Sequence, residues 1–476
     1  MAFIRYKTLN GKRYAYEVTS YWDSELGQSR NKSKYLGVVD NSSNEITQFI
    51  KKPKELEKLI LNFGDGYFLN QFIKKSEFYP ALEKSLFNRV PELLPLIAYK
   101  ISTQSAMRNC QDWLNGNILQ VLYKGTNLIS QRISDVLNLL SKEDVQRNFF
   151  NEYLKTAGNI RKSVIIDATC IPNEINHQFN SWGKADSSLQ SQFKLLCVVD
   201  QSTKLPLFYR FLPGNMTDIS TLQTTILELK AIGIENNSVL FDSGYFSESN
   251  IKDLYTHNID FITRIPNGRI IFKDNVTIHA NSLEDIDNVC LYGGRSVFIK
   301  KIKIDLYGKK AYLYLILDPV KKMKDAQELM HEYGNLQRKT IKNKESYKNN
   351  LICCGIIGLV SSKSIATKEI LSCYYLRQSV EQVFGFLKDD LGLLPIRKHN
   401  DATIRGYLFL QFITLIIFIK IREKLQQKYT VEKMLMILSG LKCKVFTNQV
   451  IPAELTKDQK LILKNYDILV PKFLGI

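Results

Sequence analysis

The sequence predicts an α/β protein: a mixed sheet flanked by helices and interrupted by a β-rich insertion, preceded by a small β-sheet and an α-helical region. Three observations predict it. From Lys162 to Ile265, apolar and amphipathic runs follow in the order three strands, helix, strand, helix, strand, which suits a mixed sheet with helices on its faces. Beyond Pro266, the runs "RSVFIKKIKI" and "KAYLYLIL" are strand-like and rich in lysine, so a second β block interrupts that pattern. A helical pattern returns at about Thr367–Gly392, with an apolar stripe that needs a sheet to pack against.

Composition bounds the class. The chain has 476 residues, enough for several domains, and 45% of them are hydrophobic, which excludes a disordered protein. Formal net charge is +18, from 65 Lys and Arg against 47 Asp and Glu, an excess that points to a polyanionic partner such as nucleic acid. None of the eight cysteines lies in a C-x-x-C pair and the five histidines form no H-E-x-x-H, so zinc ribbons, disulfide frameworks and zincin chemistry are not expected. A phosphate-binding G-x-x-x-x-G-K-[ST] loop is absent, so no nucleotide cofactor is expected. The N-terminus lacks the apolar core of a signal peptide, and the longest apolar run, Tyr407–Ile419, is too short to span a bilayer. The expectation is a cytoplasmic protein of a reducing compartment, nucleoid-associated when bound to DNA, with no membrane partner.

Taken in order, residues 1–50 alternate polar and apolar around the Asn10-Gly11 turn signal and read as a small basic β-sheet. Residues 51–158, from about Pro53 to Ala157, carry helical periodicity and read as an α-helical DNA-binding region. Residues 159–265 form the first part of the sheet domain. There "SVIIDAT" is an apolar strand ending in Asp167, "FKLLCVVD" and "LPLFYRFLPG" are a hairpin with Asp200 at its turn, and Asp218 is a plausible N-cap for "DISTLQTTILELKAIG". "SVLFDSGYF" is a second apolar strand, carrying Asp242. Residues 266–366 are the basic β-rich insertion; from Lys300 to Lys348, thirteen Lys and Arg face six Asp and Glu, a net of +7. Residues 367–428 return to the sheet domain with the helix of Glu381 and the buried helix from 403, and 429–476 form a C-terminal helical tail. His177 and His399 read as structural.

At about 100° per residue, Tyr374, Arg377, Glu381 and Lys388 share one narrow stripe, while Leu376, Val380, Val383 and Leu387 form a second, apolar one. Arg377 and Glu381 also stand at i, i+4, so an ordinary salt-bridge ladder explains that pair equally well. Asp167 could simply end a strand, and Asp242 could be a turn residue ahead of Gly244. Taken together, two carboxylates at strand ends and a third on a helix that packs against the same sheet make a poor ion pair and a good cage for a hard divalent cation.

These residues resemble a known family. Asp167-Ala-Thr, then "LPGNMTD" (Leu212–Asp218), then Asp242-Ser-Gly-Tyr245, then Y-x2-R-x3-E-x6-K from Tyr374 to Lys388, are similar to the DDE transposases of bacterial insertion sequences, whose YREK pattern is met without a gap. The resemblance covers about residues 160–425. It implies a ribonuclease H-like catalytic domain with a β insertion before the last catalytic helix. It implies that Asp167, Asp242 and Glu381 hold two Mg²⁺ ions, Mn²⁺ substituting, and that Tyr374, Arg377 and Lys388 contact DNA phosphates. The implied activity is cut-and-paste transposition: metal-dependent cleavage of double-stranded DNA at the element's ends, then strand transfer into target DNA by a homodimer holding both ends. A ribonuclease H-like nuclease or junction resolvase, or a non-catalytic DNA-binding descendant, are the alternatives. Relatives stack a flipped base on a tryptophan of the insertion. Trp22, Trp113 and Trp182 all lie outside it here, leaving Tyr292, Tyr307, Tyr312 or Phe298 for that role.

Overall fold

The computed structural model describes residues 2–9, 12–24, 26–39, 46–47, 57–156, 161–185, 188–334, 341–398, 400–425 and 429–476. Asn10, Gly11, Pro53, Ala157 and His399, on which expectations were placed, lie outside the described residues. The chain divides into two compact units, one of Met1–Leu59 with Val445–Gln449, the other of Ile60–Lys444 with Val450–Ile476.

The first unit is built on an antiparallel sheet of Ala2–Leu9, Lys12–Asp23, Gln28–Val39 and Ile46–Thr47, paired in that order. Ala15, Val18 and Val39 are buried, while Phe3, Ile4, Tyr21 and Trp22 stay exposed.

The second unit opens with helices from Gly64–Lys75 to Glu143–Thr156. In Ser130–Leu140 the buried residues are Ile133, Val136, Leu137 and Leu140, the spacing of one helical face. The long apolar helix Asp401–Glu423 packs against it. A Cβ added at Gly406 would stand 1.9 Å from the carbonyl oxygen of Leu137, so only glycine lets the two backbones approach this closely. By length and composition Asp401–Glu423 could cross a membrane, but 16 of its 23 residues are buried in the protein. His177 pins its first turn, with Nε2 2.9 Å from Asp401 Oδ1.

Next comes the sheet. Arg161–Pro172, Ser188–Asp200 and Pro206–Pro213 form an antiparallel meander. Asp200 holds its turn, accepting from the backbone N–H of Ser202 at 2.9 Å and of Thr203 at 2.8 Å. Glu235–Phe241 then adds parallel to the first strand, and Asp260–Ile265 parallel to that. Numbered along the chain, these five strands lie in the order 3-2-1-4-5, the ribonuclease H-like arrangement. Parallel neighbours need crossovers, supplied here by the helices Asp218–Ala231 and Glu248–Thr256. Val164, Ile166, Val239, Phe241 and Phe261 of the strands share one core with Leu222, Ile226, Ile251 and Leu254 of these helices. The first and fourth strands are in register from Ser163↔Ser238 to Ile166↔Phe241, after a bulge between Asn236 and Ser238.

Residues 266–366 hold both strands and helices. Their strands Ile356–Ser361, Lys309–Leu317, Arg295–Leu306 and Val289–Tyr292 extend the same sheet outward from Asp260–Ile265. Ile270–Leu283, Pro319–Gly334 and Ile341–Cys353 are helices. The first of these, "IIFKDNVTIHANSL", is rich in β-branched residues, and tertiary packing of Phe272 and Val276 into the core overrides that local preference. The C-terminal segment holds the expected helices, Val431–Ser439 and Lys457–Asn465, and also two short strands, Lys442–Val445 and Gln449–Pro452.

Candidate active site

Asp167 does not end its strand, which continues to Pro172. The parallel pairing stops one residue earlier, at Ile166↔Phe241, and Asp242 follows Phe241 directly. Asp167 and Asp242 are therefore the next residues on two neighbouring strands running the same way. Strands lie about 4.8 Å apart and side chains alternate faces, so these two carboxylates emerge side by side where the crevice opens.

Glu381 comes from the helix Gln378–Gly385. Arg377, just before it, joins it to the sheet: Nη1 donates to Asp167 Oδ2 at 2.9 Å and Nη2 to Glu381 Oε1 at 2.8 Å. The Tyr374 hydroxyl donates to Asp242 Oδ1 at 3.0 Å, and Lys388 Nζ donates to Thr169 Oγ1 at 2.8 Å. Tyr374 and Arg377 thus contact the three carboxylates, and Lys388 reaches Thr169 on the strand of Asp167.

The helix that carries them is not continuous, as the wheel assumed. Thr367–Tyr375 ends, the chain turns at Leu376 and Arg377, Gln378–Gly385 follows, and Phe386–Asp390 is a π turn. Leu376 and Arg377 keep right-handed helical angles, but the bonds there tighten to i→i+3, which shifts the angular count, and Tyr374 is buried against Asp242. Leu376 is only half-buried, whereas Val380, Val383 and Leu387 pack as expected.

Burial pushes the carboxyl of Asp167 up to about 6; Arg377 opposes the shift, while the charges of Asp242 and Asp218 add to it. Burial and then the Asp242 carboxylate raise the Tyr374 phenol, keeping it a proton donor. Asp218 is a neighbour the sequence reading placed elsewhere. Thr217 occupies the N-cap position, and Asp218 is the first helical residue, its Oδ1 2.9 Å from Lys194 Nζ. Its other oxygen lies 2.8 Å from where a Cβ on Gly244 would stand, so the Asp242-Ser-Gly turn is closed against it. The glycine in "DSGY" was the available signal for that close approach. Thr169, two residues beyond Asp167, was likewise not foreseen as the partner of Lys388.

The aromatic candidates divide. Tyr292 stacks on Tyr375, with centroids 5.4 Å apart and rings 17° from parallel, one residue from Tyr374. Tyr307 faces Phe246, Tyr312 lies under the Lys301 ammonium, and Phe298 packs against the core. Among the described residues, no three Asp, Glu, His or Cys side chains stand close enough to hold one ion. The donor set of Asp167, Asp242 and Glu381 is nevertheless all oxygen, the chemistry that suits a hard divalent cation. Arg377 stands between two of the three.

The profile of the transposase DDE domain family matches residues 159–417, more than half of the sequence, and the chain belongs to that family. No curated protein matches. Among solved structures, a piggyBac transposase synaptic complex with hairpin DNA is similar at 10% identity and a TM-score of 0.38, over 84% of this chain and 69% of that one. The Drosophila P element transposase strand transfer complex is similar at 10% identity and a TM-score of 0.17, over 66% of this chain and 86% of that one.

Proposed function

We propose that this chain binds the ends of an insertion sequence and moves it by hydrolysis followed by transesterification. Water attacks a phosphodiester at the element's end and the P–O3′ bond breaks, freeing a 3′-OH. That 3′-OH attacks a target phosphodiester, displacing a second 3′-oxygen, so each step makes one P–O bond and breaks one. The observation that carries this reading is the placement of Asp167 and Asp242 side by side, with Glu381 tied to Asp167 through Arg377.

Asp167, Asp242 and Glu381 would hold two Mg²⁺ or Mn²⁺ ions. When bound, the cations supply Lewis acidity at the scissile phosphate. The chain's own groups position the rest. Tyr374 keeps Asp242 oriented through its hydroxyl. Arg377 offers a planar fork that suits a phosphate as well as a carboxylate, and Lys388 adds a point charge beside Thr169. Two copies acting together would bring the two ends to one target.

Cleavage and joining of an end duplex into a plasmid, in Mg²⁺, test the reading. Asp167→Asn, Asp242→Asn and Glu381→Gln should each abolish both steps and leave end binding intact. Cleavage without joining would indicate a nuclease or resolvase; binding without cleavage, a non-catalytic descendant. Near-normal cleavage by any variant removes that residue from the triad.

A further inference from the structure

Lys100 lies in the helix Val90–Ser102 and is 2% exposed. A buried ammonium ordinarily has a carboxylate beside it. Here its hydrogen-bond partner is the carbonyl oxygen of Gly392, and at 3.4 Å that contact is long. The neighbouring Cys110 does not serve as counter-ion, because burial pushes its thiol up to about 12 and keeps it neutral. Lys100 lines a cavity of about 150 Å³ together with Arg397, Lys398, Ser105 and Tyr407, and no acidic side chain lines it. Three cations therefore line a small space that no carboxylate lines.

The cavity is also placed in relation to the active site. The side-chain amide of Gln104, on its rim, donates to the carbonyl of Asp389 at 2.9 Å. That carbonyl belongs to the residue after Lys388, so one wall is the backbone leaving the catalytic helix. We infer that this pocket binds a phosphate oxyanion, with Lys100 as its floor and Arg397 and Lys398 at its mouth. A phosphodiester of the bound DNA and free inorganic phosphate share that chemistry; the first source rests on the function proposed above.

The test uses the full-length protein, with Lys100→Met, which keeps the packing volume and removes the charge, and Arg397→Gln as a second variant at the exposed mouth. Inorganic phosphate should raise the melting temperature of the wild type more than chloride at equal ionic strength, and the rise should vanish in Lys100→Met. End-duplex affinity should fall roughly tenfold in Lys100→Met, with the salt slope shallower by about one. Arg397→Gln should weaken both responses in part. A phosphate response with unchanged DNA affinity assigns the pocket to free phosphate; a DNA effect alone assigns it to the backbone. A wild type that responds to phosphate but never binds end DNA would keep the pocket and overturn the proposed function. No phosphate response in the wild type, together with unchanged DNA affinity in both variants, overturns the pocket.

Discussion

Arg377 divides one guanidinium between Asp167 and Glu381, and so ties the helix of Glu381 to the sheet. On the function proposed above, a divalent cation would compete with Arg377 for the same carboxylates. Arg377→Ala should lower stability in chelator by roughly 1.5–3 kcal/mol. Added Mg²⁺ should then raise its melting temperature more than that of the wild type, because no cation has to be displaced. Equal Mg²⁺ shifts in the two proteins would show that Arg377 and the cation do not compete. Lys100 gives the pH counterpart. Burial, followed by the charge of Lys398, lowers its ammonium from the usual 10.5 to about 8. Below pH 8 the group is charged in both folded and unfolded chains, and the folded state bears the full cost, on the order of 3 kcal/mol. Between pH 8 and 10.5 the unfolded chain holds more protons, so wild-type stability should rise with pH. Lys100→Met should be the more stable protein at pH 7 and lose that advantage by about pH 10.5, measured by denaturant melts across the range. A pH-independent difference would mean that Lys100 is not penalised by burial.

At the level of elements, the sequence was most legible where one rule acts alone. The strand ahead of Asp242 could be read because Val239, Leu240 and Phe241 are continuously apolar and bounded by a turn, as a strand buried on both faces must be. The hairpin at Asp200 and the buried helix from Asp401 followed from equally local signals. Legibility failed where distant contacts decide. Helical spacing grouped Tyr374 with Glu381, but it left no sign that the winding tightens at Leu376 and Arg377 or that the Tyr374 hydroxyl turns inward to Asp242. Asp218 looked like a cap because acidic residues favour helix starts, yet its ion pair with Lys194 comes from another strand and leaves no trace in local spacing. The helix Ile270–Leu283 lies in a stretch read only as a β-rich insertion, and it packs on a core assembled from residues far along the chain.

For the whole molecule, the net charge of +18 is the broadest feature, and the structure separates the lysines that are engaged from those that face outward. Lys300 donates to Ser282 Oγ at 2.7 Å, and Lys301 to Ser364 Oγ at 2.6 Å, so neutralising them disturbs the fold as well as the charge. Lys303 and Lys310, on the same pair of strands, are exposed. Lys303→Gln with Lys310→Gln should keep the melting temperature and make the salt dependence of DNA binding shallower by about one to two. An unchanged slope would assign both to solvent.

The bulge between Asn236 and Ser238 has a consequence for how this site can vary in length. It works as a slack joint: residues before it can be miscounted without the error travelling on, because Ser238 to Phe241 hold the phase against Ser163 to Ile166. Past that joint the count is rigid, and one added residue turns Asp242 to the opposite side of the sheet. Deleting Asn237 should therefore leave cleavage largely intact, whereas inserting one alanine between Leu240 and Phe241 should abolish it in a protein that still folds. Loss of activity on deleting Asn237 would show that the joint carries no slack. Asp167 and Asp242 are thus kept in step by four residues of ladder.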